Sequence, residues 1–372
     1  MLKALQEDDS FLEKEGDLDL PSNGRTLEVL WVGGEGGIEA DLLSKEQVKF
    51  TTVPAAGIHG VGLRALPGNL WRLFKGFIAA RRVIKDFRPQ VMFFTGGYLA
   101  VPVALAGRWT GSREINPSTL LYAPDIEPGL ALRTLARLSD QIAVTVEESM
   151  NYFSNQSKLK VTGYPIRPDM KEWSMDDARQ AFQLTLDLPT LLVFGGSKGA
   201  RSINHALLGI LPELLFELQI IHISGHLDWS EVEAAKSTLS ADQASRYHAF
   251  PYLYEEMGAA LTVADLVVSR AGASVLGEFP SFAIPAILVP YPHAWRYQEV
   301  NGLFLEQKGA ALVLQDDKLV DELLPTIKGL FNDHNQRESM RRAMQSLAKP
   351  NAAESIADLL HGLVPIPSPG RI

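Results

Sequence analysis

Short apolar runs alternate with helical patterns along most of the chain, which predicts a repeated strand–helix unit. In the first half the strand candidates are 27–33 (LEVLWVG), 48–54 (VKFTTVP), 90–96 (QVMFFTG), 119–124 (TLLYAP), 141–146 (QIAVTV) and 158–163 (KLKVTG). Between the second and third, 70–87 (LWRLFKGFIAARRVIKDF) carries apolar residues at helical spacing. A second series follows at 190–196, 218–225, 247–253, 264–270, 286–292 and 309–314, again with helical segments between. Repeated βα units imply parallel strands with helices on both faces. The expected fold class is therefore α/β, with two doubly wound parallel-sheet domains. The join falls near 163–188, where RPDMKEWSMDDARQAFQL reads as a connector and a helix.

Length agrees with this division, since 372 residues exceed what one simple core accommodates. A hydrophobic share of 46% and a charged share of 21% describe a soluble globular chain. The net charge of −9 argues against a nucleic-acid binder held by a broad basic surface. No run of about 18 apolar residues suggests a spanning helix. The N-terminal segment is acidic and has no apolar signal core, so a cytosolic location is expected. Residues 5–24 read as a loop or disordered insert. With Cys 0, disulfides, thiolate metal sites and cysteine nucleophiles are excluded.

The strongest chemical signal is LLVFGGSKGARSIN (191–204), an apolar run, then a glycine-rich turn, then helix-favouring residues. Glycines let backbone N–H groups approach an anion, and a new helix offers its positive end. Ser197 and the N–H groups of Gly196 through Gly199 are candidates to cradle a diphosphate; a tight turn with no ligand is the plain alternative. The turn lacks the GKS or GKT of a Walker loop and is not GxGxxG. A second signal is VVSRAGASVLGEFPSFAIPAILVPYP (267–292): a strand ending at Ser269, a small-residue turn, then a helix with Glu278 one turn in. A carboxylate at the C-terminal edge of such a sheet can accept both hydroxyls of a ribose; complementing the helix dipole is its ordinary alternative. In YPHAWRYQEVN (291–301), His293, Arg296, Gln298 and Asn301 fall on a loop and an expected helix start, and Gln298 is suited to a sugar hydroxyl. TGGYLAVP (95–102) offers a further close-approach turn, whereas GGEGG (33–37) does not lead into a helix through small residues. The eight histidines show no metal spacing, and there is no GxSxG elbow.

Taken in order, these segments closely resemble the bacterial MurG family of UDP-N-acetylglucosamine transferases. The resemblance runs through GIEADLL (37–43), GIHGVG (57–62), RRVIKDFRPQVMFFTGGY (81–98), GYPIR (163–167), FGGSKGARSIN (194–204), RAGAS with GE (270–278), PYPHAWRYQEVNG (290–302) and KPNAAESIADLL (349–360). It implies a GT-B fold and transfer of GlcNAc from UDP-GlcNAc to the 4-hydroxyl of a lipid-linked muramoylpentapeptide, with inversion and no bound metal or other cofactor. It implies an N-terminal acceptor domain over 1–163, a UDP-GlcNAc domain over 164–348, and a closing helix with a disordered tail over 349–372. Carried over, Arg167 and Ser197 would contact the diphosphate, and Ala273 and Ser274 would supply backbone donors there. Glu278 would hold the ribose, Gln298 the GlcNAc hydroxyls, and 253–257 (LYEEM) would line the uracil pocket. Against the family pattern, the first strand and a GGTGGHxxP loop have no counterpart, which suggests a mis-called start or a truncation. Asp125 stands where the family has an Asn that contacts the sugar, and is a candidate base. Val275 occupies a position that often carries Thr.

The lipid acceptor implies peripheral attachment to the cytoplasmic membrane face. Leu70, Trp71, Leu73, Phe74, Phe77 and Ile78 lie among Arg64, Arg72, Lys75, Arg81, Arg82 and Lys85, a candidate interfacial patch. An amphipathic helix packed on a sheet is the alternative. Three other functions share parts of the pattern: a non-catalytic UDP-sugar-binding homologue, a glycolipid-forming glycosyltransferase and a UDP-sugar epimerase.

Overall fold

The computed structural model describes residues 27–34, 48–55, 66–109, 116–196, 199–293 and 296–365. The acidic segment 5–24, GIEADLL, the GIHGVG loop, most of GGEGG and Ser197 lie outside them. Packing divides the chain into two units: Met1–Pro124 with Pro128–Thr162 and Ala353–Ile372, and Asp125–Glu127 with Gly163–Ala352.

In the first unit β1 (Leu30–Gly34) pairs parallel with β2 (Lys49–Val53). A second parallel sheet runs in chain order through β3 (Val91–Phe94), β4 (Ser118–Ala123), β5 (Gln141–Val144) and β6 (Leu159–Val161). Helices α1 (Leu66–Phe87), α2 (Ala100–Trp109) and α3 (Leu130–Leu138) connect them. Small residues let α2 lie close to the sheet: Ala100, Val103, Ala104, Ala106 and Gly107 are buried. Ile84, Leu121, Ile142 and Val144 complete the same core.

In the second unit α4 (Met175–Ala181) starts at Ser174, whose hydroxyl accepts from Asp177 N at 3.1 Å. Six parallel strands follow: β7 (Thr190–Phe194), β8 (Gln219–Ile223), β9 (Tyr247–Phe250), β10 (Leu266–Ser269), β11 (Ala286–Leu288) and β12 (Ala311–Val313). Helix α5 (Arg201–Leu214) links β7 to β8 and buries Ile203, Leu207, Leu211 and Leu214, residues spaced by three and four. Helices α6 (Trp229–Ser237), α7 (Ala241–Ser245) and α8 (Met257–Val263) serve the following connections. Next come α9 (Glu278–Phe282), α10 (Tyr297–Gln307), α11 (Leu319–Asn332), α12 (His334–Ser346) and α13 (Ala352–Gly362).

The order β12-β11-β10-β7-β8-β9 positions the site. From β7 the chain builds outward to β8 and β9, then returns to place β10 on the other side of β7, with Leu266 beside Leu191. The winding direction reverses between β7 and β10. The carboxyl ends of those two strands therefore mark a topological switch point, the place where open α/β sheets bind ligands.

Candidate functional site

The loop after β7 is shaped by glycine. Gly196 and Gly199 adopt φ of 87° and 77°, left-handed values that side chains resist, and Gly199 N donates to Gly196 O at 2.9 Å. A Cβ on Gly199 would stand 2.2 Å from Ser224 O. Helix α5 then begins after Ala200, with no side-chain cap and no acidic residue in its first turn. Its first N–H groups lack intrahelical acceptors, and its dipole places partial positive charge beside them. An anion is the natural complement.

Across the switch point, the loop after β10 runs through Arg270 and Gly272 into a 3₁₀ turn, Ala273–Leu276. The expected single helix is broken here. The α-helical part starts only at Glu278, which is its first residue instead of lying one turn in. Pro280 explains the break. In a continuous helix from Ala273 it would lack the N–H that bonds Leu276 and would clash with that carbonyl, whereas in a first turn it fits. At Gly277 an added Cβ would meet the Tyr164 side chain at 2.6 Å, so the chain passes tightly against that ring.

Glu278 is held between opposing influences. Burial pushes its pKa up, while a hydrogen bond with the Ser274 side chain and the nearby Arg167 guanidinium favour the carboxylate. Tyr164 is pushed up to about 12, first by burial and then by the charges of Glu278 and Asp125. Arg167 donates to Tyr254 O at 3.2 Å and lies 3.7 Å from Asp169, yet stays 57% exposed. Asp125 is also raised by burial, opposed by a hydrogen bond from Asn301. Fully buried Asn301 donates to Asp125 Oδ1 at 2.8 Å and to Ala271 O at 3.2 Å, and accepts from Ile126 N at 3.1 Å. Gln298 uses its carbonyl oxygen to accept from Tyr291 N at 2.9 Å, which ties Tyr291 to the start of α10. Its amide NH₂ has no protein partner among the described residues.

Comparison with known proteins identifies the family. Residues 190–357 match the glycosyltransferase family 28 C-terminal domain and residues 21–115 its N-terminal domain. The UDP-N-acetylglucosamine–N-acetylmuramyl-(pentapeptide) pyrophosphoryl-undecaprenol N-acetylglucosamine transferase of Roseiflexus sp. (strain RS-1) is 39% identical, over 90% of this chain and 83% of its own length. The chain belongs to the MurG family. Among solved structures, Acinetobacter baumannii MurG superposes with a TM-score of 0.70 at 24% identity, covering 90% of this chain and 91% of its own. A Neisseria meningitidis UDP-GlcNAc 2-epimerase bound to UDP-GlcNAc gives 0.62 at 14% identity, with coverage of 91% and 93%. Both likenesses concern the fold, two α/β domains of the GT-B class.

In this MurG-family chain the expected site residues divide into groups. Arg167 and Ser274 both act on the charge of Glu278, and Glu278 and Asp125 both act on Tyr164, which brings the four into one electrostatic neighbourhood. Ala273 opens the 3₁₀ turn that carries Ser274. No hydrogen bond among the described residues joins Gln298 to that group; Gln298 shapes its own loop. Ser197 lies outside the described residues. Three residues had no assigned role on sequence grounds: Tyr164, Arg270 and Asn301. Asn301 carried the clearest signal, a polar side chain among the buried positions of α10.

Proposed function

We propose that the chain transfers GlcNAc from UDP-GlcNAc to the 4-hydroxyl of the muramoyl sugar in an undecaprenyl-diphospho-muramoylpentapeptide, with inversion. The observation that carries the donor half is the pairing, at the β7/β10 switch point, of an uncapped helix N-terminus with a half-buried carboxylate whose charge is favoured by Ser274 and Arg167. Family membership supports the acceptor half. In the proposed roles, the N-terminus of α5 with Ser197 and Arg167 faces the diphosphate and stabilises the departing UDP. Glu278 accepts the ribose hydroxyls. Ala273 and Ser274 add backbone donors, and the free amide of Gln298 binds the GlcNAc. The inverting step needs a base on the acceptor hydroxyl, and Asp125 is the candidate, because burial makes its carboxylate a better proton acceptor.

Membrane attachment is proposed as peripheral and cytoplasmic. No helix among the described residues is long and apolar enough to cross a bilayer. On α1, Leu70, Trp71, Phe74 and Ile78 are exposed beside Arg72, Lys75 and Arg82, an arrangement suited to an anionic interface.

A transfer assay with UDP-GlcNAc and the lipid-linked acceptor tests the activity, and a folded chain that binds UDP without transferring would overturn it. Asp125→Asn separates the two roles open to that residue. A fall in kcat of about 10²-fold or more with UDP affinity kept assigns the base; an unchanged kcat leaves Asp125 as a sugar contact only.

A further inference from the structure

We propose that Arg270 is a positioning residue for the donor pocket, a clamp that ties the first turn of α5 to the loops leaving β10, β11 and β12. Arg270 is the first residue after β10, and its side chain is 11% exposed. One terminal nitrogen donates to Val289 O, just past β11, at 3.2 Å and pairs with Asp316, just past β12. The other donates at 2.8 Å to the hydroxyl of Ser202, in the first turn of α5. Ser202 in turn donates to Asp316 Oδ1 at 2.7 Å. The guanidinium also lies 5.2 Å from the centroid of the Tyr291 ring, a favourable cation–π placement. Tyr291 is the residue whose N–H holds Gln298.

The clamp therefore bears on three parts of the proposed donor site at once. Through Ser202 it fixes where α5 points its N-terminus. Through Val289 and Tyr291 it fixes the stem of the Gln298 loop. Through its own backbone it begins the turn that reaches Ala273 and Ser274. Arg270 differs in kind from Arg167. Arg167 is 57% exposed and 3.7 Å from its carboxylate partner, which leaves it available to a ligand. Arg270 has its charge matched by Asp316 and its fork occupied by protein acceptors, so it acts through other residues. Removing one member of such a buried set leaves the others unpaired, and lysine cannot reproduce the planar fork.

This inference rests on the donor-site reading, so the test carries Glu278→Ala as a control. Purified full-length Arg270→Lys, Asp316→Asn and the milder Ser202→Ala are titrated with UDP by calorimetry. Steady-state kinetics are then measured with each substrate varied in turn, beside thermal melts. The expected result for Arg270→Lys is UDP affinity weakened at least tenfold and the KM for UDP-GlcNAc raised in parallel, with the acceptor KM within twofold. Ser202→Ala, which removes one hydroxyl, should weaken UDP three- to fivefold with a cooperative melt, and it decides the matter if Arg270→Lys does not fold. The Arg270→Lys/Asp316→Asn pair should lose little more than Arg270→Lys alone, because the two act as a unit. Unchanged UDP affinity in folded Ser202→Ala and Asp316→Asn, with Glu278→Ala impaired, overturns the clamp alone. Tighter UDP binding in Asp316→Asn also overturns it, by making Arg270 a diphosphate ligand. Unchanged affinity in Glu278→Ala as well would overturn the donor-site reading itself.

Discussion

The carboxyl edge of β7 and β10 and the outer face of α1 solve opposite problems. At the sheet edge, polar groups are influenced by protein partners: Asn301 makes three hydrogen bonds while fully buried, and Ser274 and Arg167 favour the charged form of Glu278. On α1, large apolar side chains lack cover, with Leu70 55%, Trp71 58% and Phe74 52% exposed. The opposite face of the same helix buries Gly76, Ala80 and Ile84, four residues apart. The helix thus has one apolar face for its own core and another for something else. A site that must hold a small charged ligand is built rigid in advance, whereas a surface that meets a soft phase needs only area and charge. The two should therefore fail differently when mutated.

The largest effect is expected at Gly199. Its φ of 77° and the 2.2 Å approach of a Cβ to Ser224 O mean that Gly199→Ala combines backbone strain with overpacking. Together these cost about 3 kcal/mol of stability. Chemical denaturation measures the loss, and UDP binding should fall with it because the start of α5 must shift. An alanine variant as stable as the parent would mean that the loop is not held as described. Next is Glu278→Ala, expected to weaken UDP by about 2 kcal/mol, or roughly 30-fold, through loss of a hydrogen bond to a charged group. Calorimetry checks it, and stability should change little because the carboxylate is already penalised by burial.

Much of this edge was legible in the chain, and the reason is physical. Parallel strands buried on both faces must read as continuous apolar runs, and left-handed turns between a strand and a helix must carry glycine. The runs at 190–194 and 266–269 and the glycines at 196 and 199 therefore announce themselves. Which polar residues meet across the turns depends instead on strand order, which no local pattern encodes. The ties of Arg270 to Ser202 and Asp316 span 68 and 46 residues and follow from β10 lying next to β7. The broken helix before Glu278 was within reach, since Pro280 alone forbids a continuous one. Apolar exposure on α1 was legible only as amphipathic ambiguity: Leu73 and Phe77, candidates for the same patch, are half-buried, and Phe77 packs edge-on against Trp109 at 6.0 Å.

A buried chain behind α5 supplies the third test. Tyr247 OH meets His222 Nδ1 at 2.7 Å, and His222 Nε2 meets Asn204 Oδ1 at 3.0 Å. Asn204 donates to Ser224 O and Asp228, each at 2.9 Å, and Arg201 pairs with Asp228 at 2.9 Å. If Nε2 carries the proton, every link is satisfied by a neutral ring. Burial lowers the His222 pKa to about 3, with the Asp228 charge acting weakly the other way. Because the folded value lies below the unfolded one, near 6.5, the unfolded chain binds the proton first. The stability from neutral His222 is complete above about pH 6.5 and is lost as pH falls towards 3, at about 1.4 kcal/mol per pH unit. His248, lowered to about 4, adds in the same direction, and the raised carboxylates of Asp125 and Glu278 oppose it. The difference between the parent and His222→Gln isolates His222. Denaturation midpoints from pH 7 to 5 should converge, and parallel curves would show that His222 titrates normally.

The smallest effect tests the other half of the comparison. Lys75 is exposed on α1 and lies 5.6 Å from the Trp71 ring centroid, with Trp71 itself stacked on Phe74 at 5.7 Å. If this face meets an anionic bilayer, the aromatic pair enters the interface and the ammonium stays at headgroup level. One cation near such a surface contributes about 1 kcal/mol, so Lys75→Gln should weaken binding to anionic vesicles roughly fivefold. Binding to neutral vesicles should be unchanged, and the difference should vanish at high salt, where screening shortens the reach of the charge. UDP affinity should not move, because nothing on α1 belongs to the second unit. Conversely, Glu278→Ala should bind vesicles as the parent does. Co-sedimentation at low and high salt provides the measurement. Equal binding of the parent and Lys75→Gln to anionic vesicles at low salt would remove the electrostatic part of the membrane proposal. Loss of UDP affinity in Lys75→Gln would show that the two regions are coupled rather than separate.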